Sequence, residues 1–317
     1  MKRNTPAPRI RNISPSGSNS SSELAIASPL PVDVDVSFEF FPPDTDKSKK
    51  TLWSSIQRLA PLNPSYVSVT YGAGGTTRER THDTVSRIRK ETKLEPAAHL
   101  TCVSASREEV DAVARQYWDS GVHHIVALRG DPPKGACGYT PHTNGYSSAA
   151  DLVVSLKKIA DFQISVAAYP EPHPEASSPE SDLDNLKRKI DAGATQAITQ
   201  YFFNVDTYLR FLERAQTAGI TVPIIPGILP VTNFKRVVEF SKRCGADIPS
   251  WMVDLFAGLD DEPEARKLVA ASLAAEQCRA LNANGVNQFH FYTMNQADLC
   301  FAICHMLGVR PQTEVKV

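Results

Sequence analysis

The feature that most constrains this chain is a repeated alternation of strand and helix patterns. Apolar, β-branched runs at residues 34–41, 66–71, 96–102, 124–131, 164–169, 196–203, 222–230 and 288–292 predict eight strands. Helical patterns follow at 47–59, 77–91, 106–120, 149–160, 181–192 and 206–218. Three more come after the seventh strand, at 233–243, 250–256 and 262–284, and a last one at 296–307. Ser106-Arg107-Glu108-Glu109 reads as a capping box at one helix start. A strand–helix–strand unit takes about 30 residues, and most of these strands begin that far apart. Eight such units in roughly 250 residues or a little more is the arithmetic of an α/β, (β/α)8 TIM barrel. The alternative, a doubly wound sheet, calls for a G-x-G-x-x-G turn after a strand. The nearest candidate, Gly72-Ala73-Gly74-Gly75, has the wrong spacing and reads as a loop at the barrel mouth.

One catalytic domain is therefore expected over residues 32–311, with a tail at 1–31 and a short one at 312–317. The first tail is basic, rich in Ser and Pro, and too poor in apolar residues to offset its ordering entropy, so disorder is expected there. Its three early prolines oppose the alternative of an organelle transit helix. A formal net charge of -1 gives no reason to expect nucleic acid or an anionic membrane surface as partner. No run approaches the roughly 20 apolar residues that span a bilayer. The six cysteines include no CxxC pair, which fits reduced thiols in the cytoplasm. Cys300, Cys304 and His305 lie on an apolar helix where buried cysteine is common, so no metal site is expected. Oligomeric state is open, and a homo-oligomer is compatible with the sequence.

The first strand holds the most informative residue. In Ser37-Phe38-Glu39-Phe40-Phe41, alternation puts Phe38 and Phe40 on one face and Ser37, Glu39 and Phe41 on the other. Pro42 and Pro43 end the ladder. An acid on so apolar a strand is costly unless it is used or paired. Apolar surroundings raise a carboxyl pKa, which would let Glu39 hold a proton near neutral pH as a general acid. The other reading is a Glu paired with an Arg or Lys inside the barrel.

Barrel sites form at the carboxyl ends of the strands. Those ends offer Glu39, Thr70, Tyr71, His99, Arg129, Asp131, Tyr169, His173, Gln200 and Tyr292. Each also has a plainer role: an interior His99, an Arg129–Asp131 pair, a Gln200 filling a barrel layer. On the helix after the fifth strand, spacings of three and four group Asp182, Asn185 and Lys189 on one face with Arg188 beside it. This is either a solvated face or a cradle for phosphate or pyrophosphate.

From about Val34 to Pro311 the chain resembles short, bacterial-type methylenetetrahydrofolate reductases. The carrying motifs are Ser37-Phe38-Glu39-Phe40-Phe41-Pro42-Pro43, Ser68-Val69-Thr70-Tyr71-Gly72-Ala73, Ala98-His99-Leu100-Thr101-Cys102 and Leu128-Arg129-Gly130-Asp131. Ala168-Tyr169-Pro170-Glu171, His173-Pro174-Glu175-Ala176, Asn185-Leu186-Lys187-Arg188-Lys189, Ile198-Thr199-Gln200-Tyr201-Phe202-Phe203 and Pro226-Gly227-Ile228-Leu229-Pro230 complete the set. The resemblance implies a flavin-containing barrel that reduces 5,10-methylenetetrahydrofolate to 5-methyltetrahydrofolate, feeding methionine synthesis. NADH or NADPH would be the reductant through bound FAD, in a ping-pong scheme. The choice between NADH and NADPH is left open.

By the same resemblance, Glu39 matches the general acid that opens the folate ring to an iminium cation. Asp131 matches an acid between flavin and folate that stabilises this cation and makes the flavin harder to reduce. Thr70, Tyr71, Ala73, His99, Arg129, Gly130, Tyr169, His173, Asp182, Asn185, Arg188 and Lys189 match positions lining FAD. Gln200 matches an amide on the pterin, and Phe240 an aromatic packing on dinucleotide or folate. Two places depart from the family pattern. The loop from Pro132 to Ser148 is longer, which leaves Ala149 or Tyr146 as its flavin contact. Gln296 stands where a family member can have Arg, which would weaken the hold on the folate glutamate tail. Two rivals are a flavin barrel oxidising an amine such as proline, and an inactive binding protein. General barrel features alone favour the first, and the presence of both Glu39 and Asp131 counts against the second.

Overall fold

The computed structural model describes residues 33–71, 78–132 and 139–312. The tail at 1–31, the turn at 72–75 with Ala73, Cys137 and residues 313–317 lie outside the described residues. Nine parallel strands form one sheet. They are β1 (Asp35–Phe40), β2 (Val67–Val69), β3 (Pro96–Thr101), β4 (His124–Leu128), β5 (Gln163–Ala168), β6 (Gln196–Thr199), β7 (Ile224–Ile225), β8 (Gly227–Ile228) and β9 (Gln288–Tyr292). Their order is β7-β6-β5-β4-β3-β2-β1-β9-β8.

β7 and β8 are the two halves of the expected seventh strand. Pro226 lies between them and has no N–H to give to a ladder, so one half pairs with β6 and the other with β9. Together they close the sheet into the (β/α)8 barrel. The seam is reinforced by side chains. Gly227 N donates to Thr199 Oγ1 (2.9 Å), Tyr292 OH donates to the Thr199 carbonyl (2.7 Å), and His290 N donates to the Pro226 carbonyl (3.0 Å).

The helices fall close to their expected bounds: α1 (Asp46–Leu59), α2 (Arg78–Glu91), α3 (Arg107–Asp119), α4 (Ala149–Ile159), α5 (Pro179–Asp191), α6 (Val205–Thr217), α7 (Phe234–Cys244), α8 (Ser250–Phe256), α9 (Pro263–Ala283) and α10 (Ala297–Met306). The capping box at Ser106 is present in full. Alternation divides each strand as the sequence requires. Phe38, Phe40, Phe289 and Phe291 are buried against the helices, with Phe38 and Phe291 6.0 Å apart. Ser37, Glu39, His290 and Tyr292 occupy the alternate positions of β1 and β9 and face the barrel interior. Cys278, Cys300 and Cys304 are buried free thiols on α9 and α10. Among the described residues no helix is long and apolar enough to cross a membrane, and no group of three metal-ligating side chains is arranged to hold an ion.

The seam at Gly227 has no room for a side chain. A Cβ there would press on the Thr199 carbonyl oxygen and lie 2.6 Å from the Tyr292 ring. Gly227→Ala is expected to destabilise the protein by about 1–3 kcal/mol through overpacking, read as a lower urea midpoint with an unchanged slope.

Candidate active site

The parallel register of β1 and β9 pairs Ser37 with His290 and Glu39 with Tyr292. Strand β3 brings His99 to the same interior layer. Glu39, with a side chain 12% exposed, consequently sits between two imidazoles. His99 Nε2 is 3.3 Å and His290 Nε2 is 3.8 Å from Glu39 Oε2. Burial pushes the Glu39 carboxyl up, but His290 and His99 together outweigh it and bring the group down to about 2. This corrects the expectation of a raised pKa. Apolar neighbours act as anticipated; the two imidazoles, delivered by distant strands, reverse the sign. The alternative of an Arg or Lys partner is corrected too: among the described residues the groups set against the Glu39 carboxyl are the two histidines.

The end of β1 is clamped in place. Thr293 Oγ1 donates to the Glu39 carbonyl (2.6 Å), and Asn295 bonds both the N–H (2.9 Å) and the carbonyl (3.1 Å) of Phe41. Met294 and Asn295 take left-handed backbone, with φ of 50° and 56°. Such strain persists where the surroundings hold it. Gln296 follows and is exposed.

Beside this layer lies a cavity of about 550 Å³ at the carboxyl ends of β3, β4 and β5. Eleven expected residues line it: Tyr71, Arg129, Gly130, Asp131, Ala149, Tyr169, His173, Asp182, Asn185, Arg188 and Lys189. Of the two candidates around the long loop, Ala149 is on the cavity. Tyr146 instead donates to Asp111 (2.7 Å). Gly130 has φ of 90°, and a Cβ there would meet Val103, so the turn that carries Arg129 and Asp131 requires glycine. Arg129 Nη1 pairs with Glu175 Oε2 at 2.7 Å and stands over the Tyr139 ring. It thus reaches across the cavity to Glu175.

Helix α5 supplies the charged end. Its N-terminus is capped by Ser178. Asp182 accepts from His173 N (3.0 Å), and Lys189 Nζ donates to the Ala167 carbonyl. Burial pulls the Lys189 amine down to about 8; Asp182 opposes this and Arg188 adds to it. A buried ammonium beside an exposed Arg188 suits a bound anion.

The other expected residues lie off the cavity. His99 faces Glu39. Thr70 caps β2, its N–H on the Phe40 carbonyl (2.9 Å). Gln200 turns its Oε1 onto the Tyr201 N–H (2.9 Å). Phe240, 45% exposed, stacks on Tyr201 at 6.1 Å. Sequence reasoning missed His290, Tyr139 and Glu175 as site residues. His290 was readable as an inward position of the eighth strand; Glu175 carries no signal short of the fold.

A family model for methylenetetrahydrofolate reductase matches residues 30–308. The chain is 55% identical over 275 residues to the 5,10-methylenetetrahydrofolate reductase of Salmonella typhimurium, covering 87% of this chain and 91% of that protein. Identity to the enzyme of the same name from Escherichia coli is 54%, with the same coverage. Among solved structures, a Clostridium thermocellum protein described as binding two copies of 5-methyl-5,6,7,8-tetrahydrofolic acid shares the fold. Its TM-score is 0.58 at 15% identity, covering 86% of this chain and 96% of that one.

The lowered pKa of Glu39 has a defined sign in stability. The carboxyl is depressed in the folded state, so its contribution is present above its usual 4.5 and is lost as pH falls toward about 2. The stability advantage of the protein over Glu39→Gln, measured by urea denaturation, is expected to shrink as pH falls from about 5 toward pH 2.

Proposed function

The chain belongs to the methylenetetrahydrofolate reductase family and is an oxidoreductase, and from that premise we propose that it reduces 5,10-methylenetetrahydrofolate to 5-methyltetrahydrofolate with FAD as bound cofactor and NADH or NADPH as hydride donor. The product would feed methyl groups into methionine synthesis. The observation carrying this reading is the meeting, at one barrel mouth, of an enclosed acid at Glu39 with a cavity of about 550 Å³ lined by Arg129, Arg188 and Lys189. When bound, FAD supplies the two-electron step, accepting hydride from the nicotinamide and passing it to the folate methylene carbon.

The residues present fit that group. Arg188 and Lys189, with Asn185, would hold the pyrophosphate region. Tyr71, Arg129, Gly130, Ala149, Tyr169, His173 and Asp182 would hold the remainder, with Thr70 and His99 at its margin. A cavity of this size lies within the range of roughly 300–1,000 Å³ common for small-molecule sites. Asp131, exposed on the cavity wall, would place negative charge next to the cationic folate intermediate. Gln200 would contact the pterin and Phe240 would pack on the flat part of the substrate. Gln296 would meet the glutamate tail with a neutral amide, giving a weaker grip than a cation.

Glu39 does the proton work. It donates to the folate ring nitrogen that departs, the C–N bond breaks with its electron pair ending on that nitrogen, and the methylene carbon becomes an iminium ready for hydride. In Glu39→Gln the flavin is expected to bleach with NADH, while re-oxidation by methylenetetrahydrofolate falls by about 10²–10⁴-fold; stopped-flow absorbance checks both. Asp131→Asn is expected to raise the flavin reduction potential, measured by dye equilibration.

Lys189 gives a pH test of the cofactor site. Phosphate binds the protonated amine, and in the free protein that proton leaves at about 8. FAD affinity is therefore expected to be flat below pH 7.5 and to fall about tenfold per pH unit above 8. In Lys189→Met the dependence should vanish, as read by flavin fluorescence on titrating the apoprotein.

A further inference from the structure

We propose that Glu39 does not act as a lone acid: His290 is its positioning residue, and Glu39, His99 and His290 share one catalytic proton, with Ser37 fixing His290 from below. The proposal rests on the folate-reducing reading above and names the groups that make its proton step workable.

A general acid must carry a proton at the working pH. Two imidazoles set against one carboxylate oxygen favour its ionised form, so the proton it gives has to be delivered from beside it. The geometry supplies that place. Both imidazole Nε2 atoms converge on the same carboxylate oxygen, and neither makes a hydrogen bond to any other group among the described residues. His290 is fully enclosed. The Tyr66 ring stacks on it at 5.7 Å and the Tyr292 ring meets it edge-on at 5.5 Å, so the imidazole cannot swing away. Its other nitrogen, Nδ1, is 2.7 Å from Ser37 Oγ. That hydroxyl can donate or accept, and it also lies 3.4 Å from the Phe289 carbonyl. It can therefore serve His290 in either its neutral or its cationic form.

The remaining titratable groups facing the cluster are Tyr66, Tyr292 and His124. Burial pushes both phenols up and pulls His124 down to about 3, where His124 Nε2 keeps a 2.7 Å contact with Ser165 Oγ. All three stay neutral around pH 7. The mobile proton belongs to Glu39 and its two imidazoles.

The step balances without an added reagent. An imidazolium Nε2–H bond breaks as a Glu39 O–H bond forms. Glu39 then gives that proton to the departing folate nitrogen, and the imidazole is left neutral. No electrons are transferred in this part of the cycle. Burial lowers the His290 pKa by more than Glu39 raises it, so the imidazolium is easily lost and the proton step weakens as pH rises.

The test uses FAD-loaded protein and compares two half-reactions as a ratio: re-oxidation by methylenetetrahydrofolate over reduction by NADH, from pH 5 to 9. In His290→Gln the ratio should fall about 10–100-fold, the usual effect of losing a group that orients a reacting one. Its decline with rising pH should begin at lower pH than in the parent protein. Ser37→Ala, a smaller change that leaves both imidazoles, should shift the decline in the same direction by less. A readout without flavin completes the test. In ¹⁵N-histidine spectra of the apoprotein, Glu39→Gln should lower the His290 titration midpoint. A parent protein that fails to re-oxidise with methylenetetrahydrofolate refutes the proposed function. A parent that succeeds, with His290→Gln and Ser37→Ala matching its pH profile, or an unmoved His290 midpoint, overturns this inference alone. If His290→Gln does not fold, the Ser37→Ala profile and the His290 midpoint decide.

Discussion

A carboxylate kept inside the protein by two imidazoles is the interaction on which the mouth of this barrel depends. Enclosing an unpaired charge would cost several kcal/mol or neutralise the group. Here strands far apart in sequence answer that cost together. The β1–β9 ladder sets Ser37 opposite His290, and β3 sets His99 against Glu39. The register is rigid because a one-residue slip would turn Phe38 and Phe40 into the barrel and Glu39 into the helices. The clamp from Thr293 and Asn295 then fixes the chain where β1 ends. Fold and chemistry are thus tied at one point: what closes the barrel also aims the acid.

The cavity beside this cluster solves a different electrostatic problem. It gathers Arg129, Arg188 and Lys189 around a space bordered by Tyr169 and Asp131. Arg129 rests on Glu175, and Lys189 rests on a backbone carbonyl and is partly stripped of its affinity for a proton by burial. A large anionic ligand would replace these internal partners with better ones. Tyr292 joins the two halves of the site: burial raises its pKa first, and the charges of Glu39 and Tyr169 raise it further. Under the proposed function, an acid for the substrate and a cradle for a cofactor would share one entrance while keeping separate charge environments.

Much of this was legible in the residues. Strand spacing predicted the barrel, alternation set Glu39 on the face opposite Phe38 and Phe40, and the three- and four-residue spacing on α5 grouped Asp182, Asn185, Arg188 and Lys189, all of which line the cavity. Other parts depend on contacts that no local pattern encodes. The sign of the Glu39 pKa depends on His99 and His290, 60 and about 250 positions away in sequence, which no reading of the first strand alone supplies. Arg129 has a neighbour in sequence, Asp131, but its partner in space is Glu175 from the next strand-to-helix loop. The seventh strand read as one continuous run; Pro226 divides it, and the division lets the sheet close.

The proposed chemistry depends on position: one enclosed carboxyl, held by imidazoles, must face a folate ring that lies over a flavin. A crystal structure of the protein with FAD and 5-methyltetrahydrofolate bound tests it most directly. The isoalloxazine is expected in the cavity between Arg129 and Tyr169, with a folate ring nitrogen within roughly 2.6–3.2 Å of the Glu39 carboxyl or one water away. A folate ring seated out of reach of Glu39, or a flavin bound outside that cavity, would contradict it.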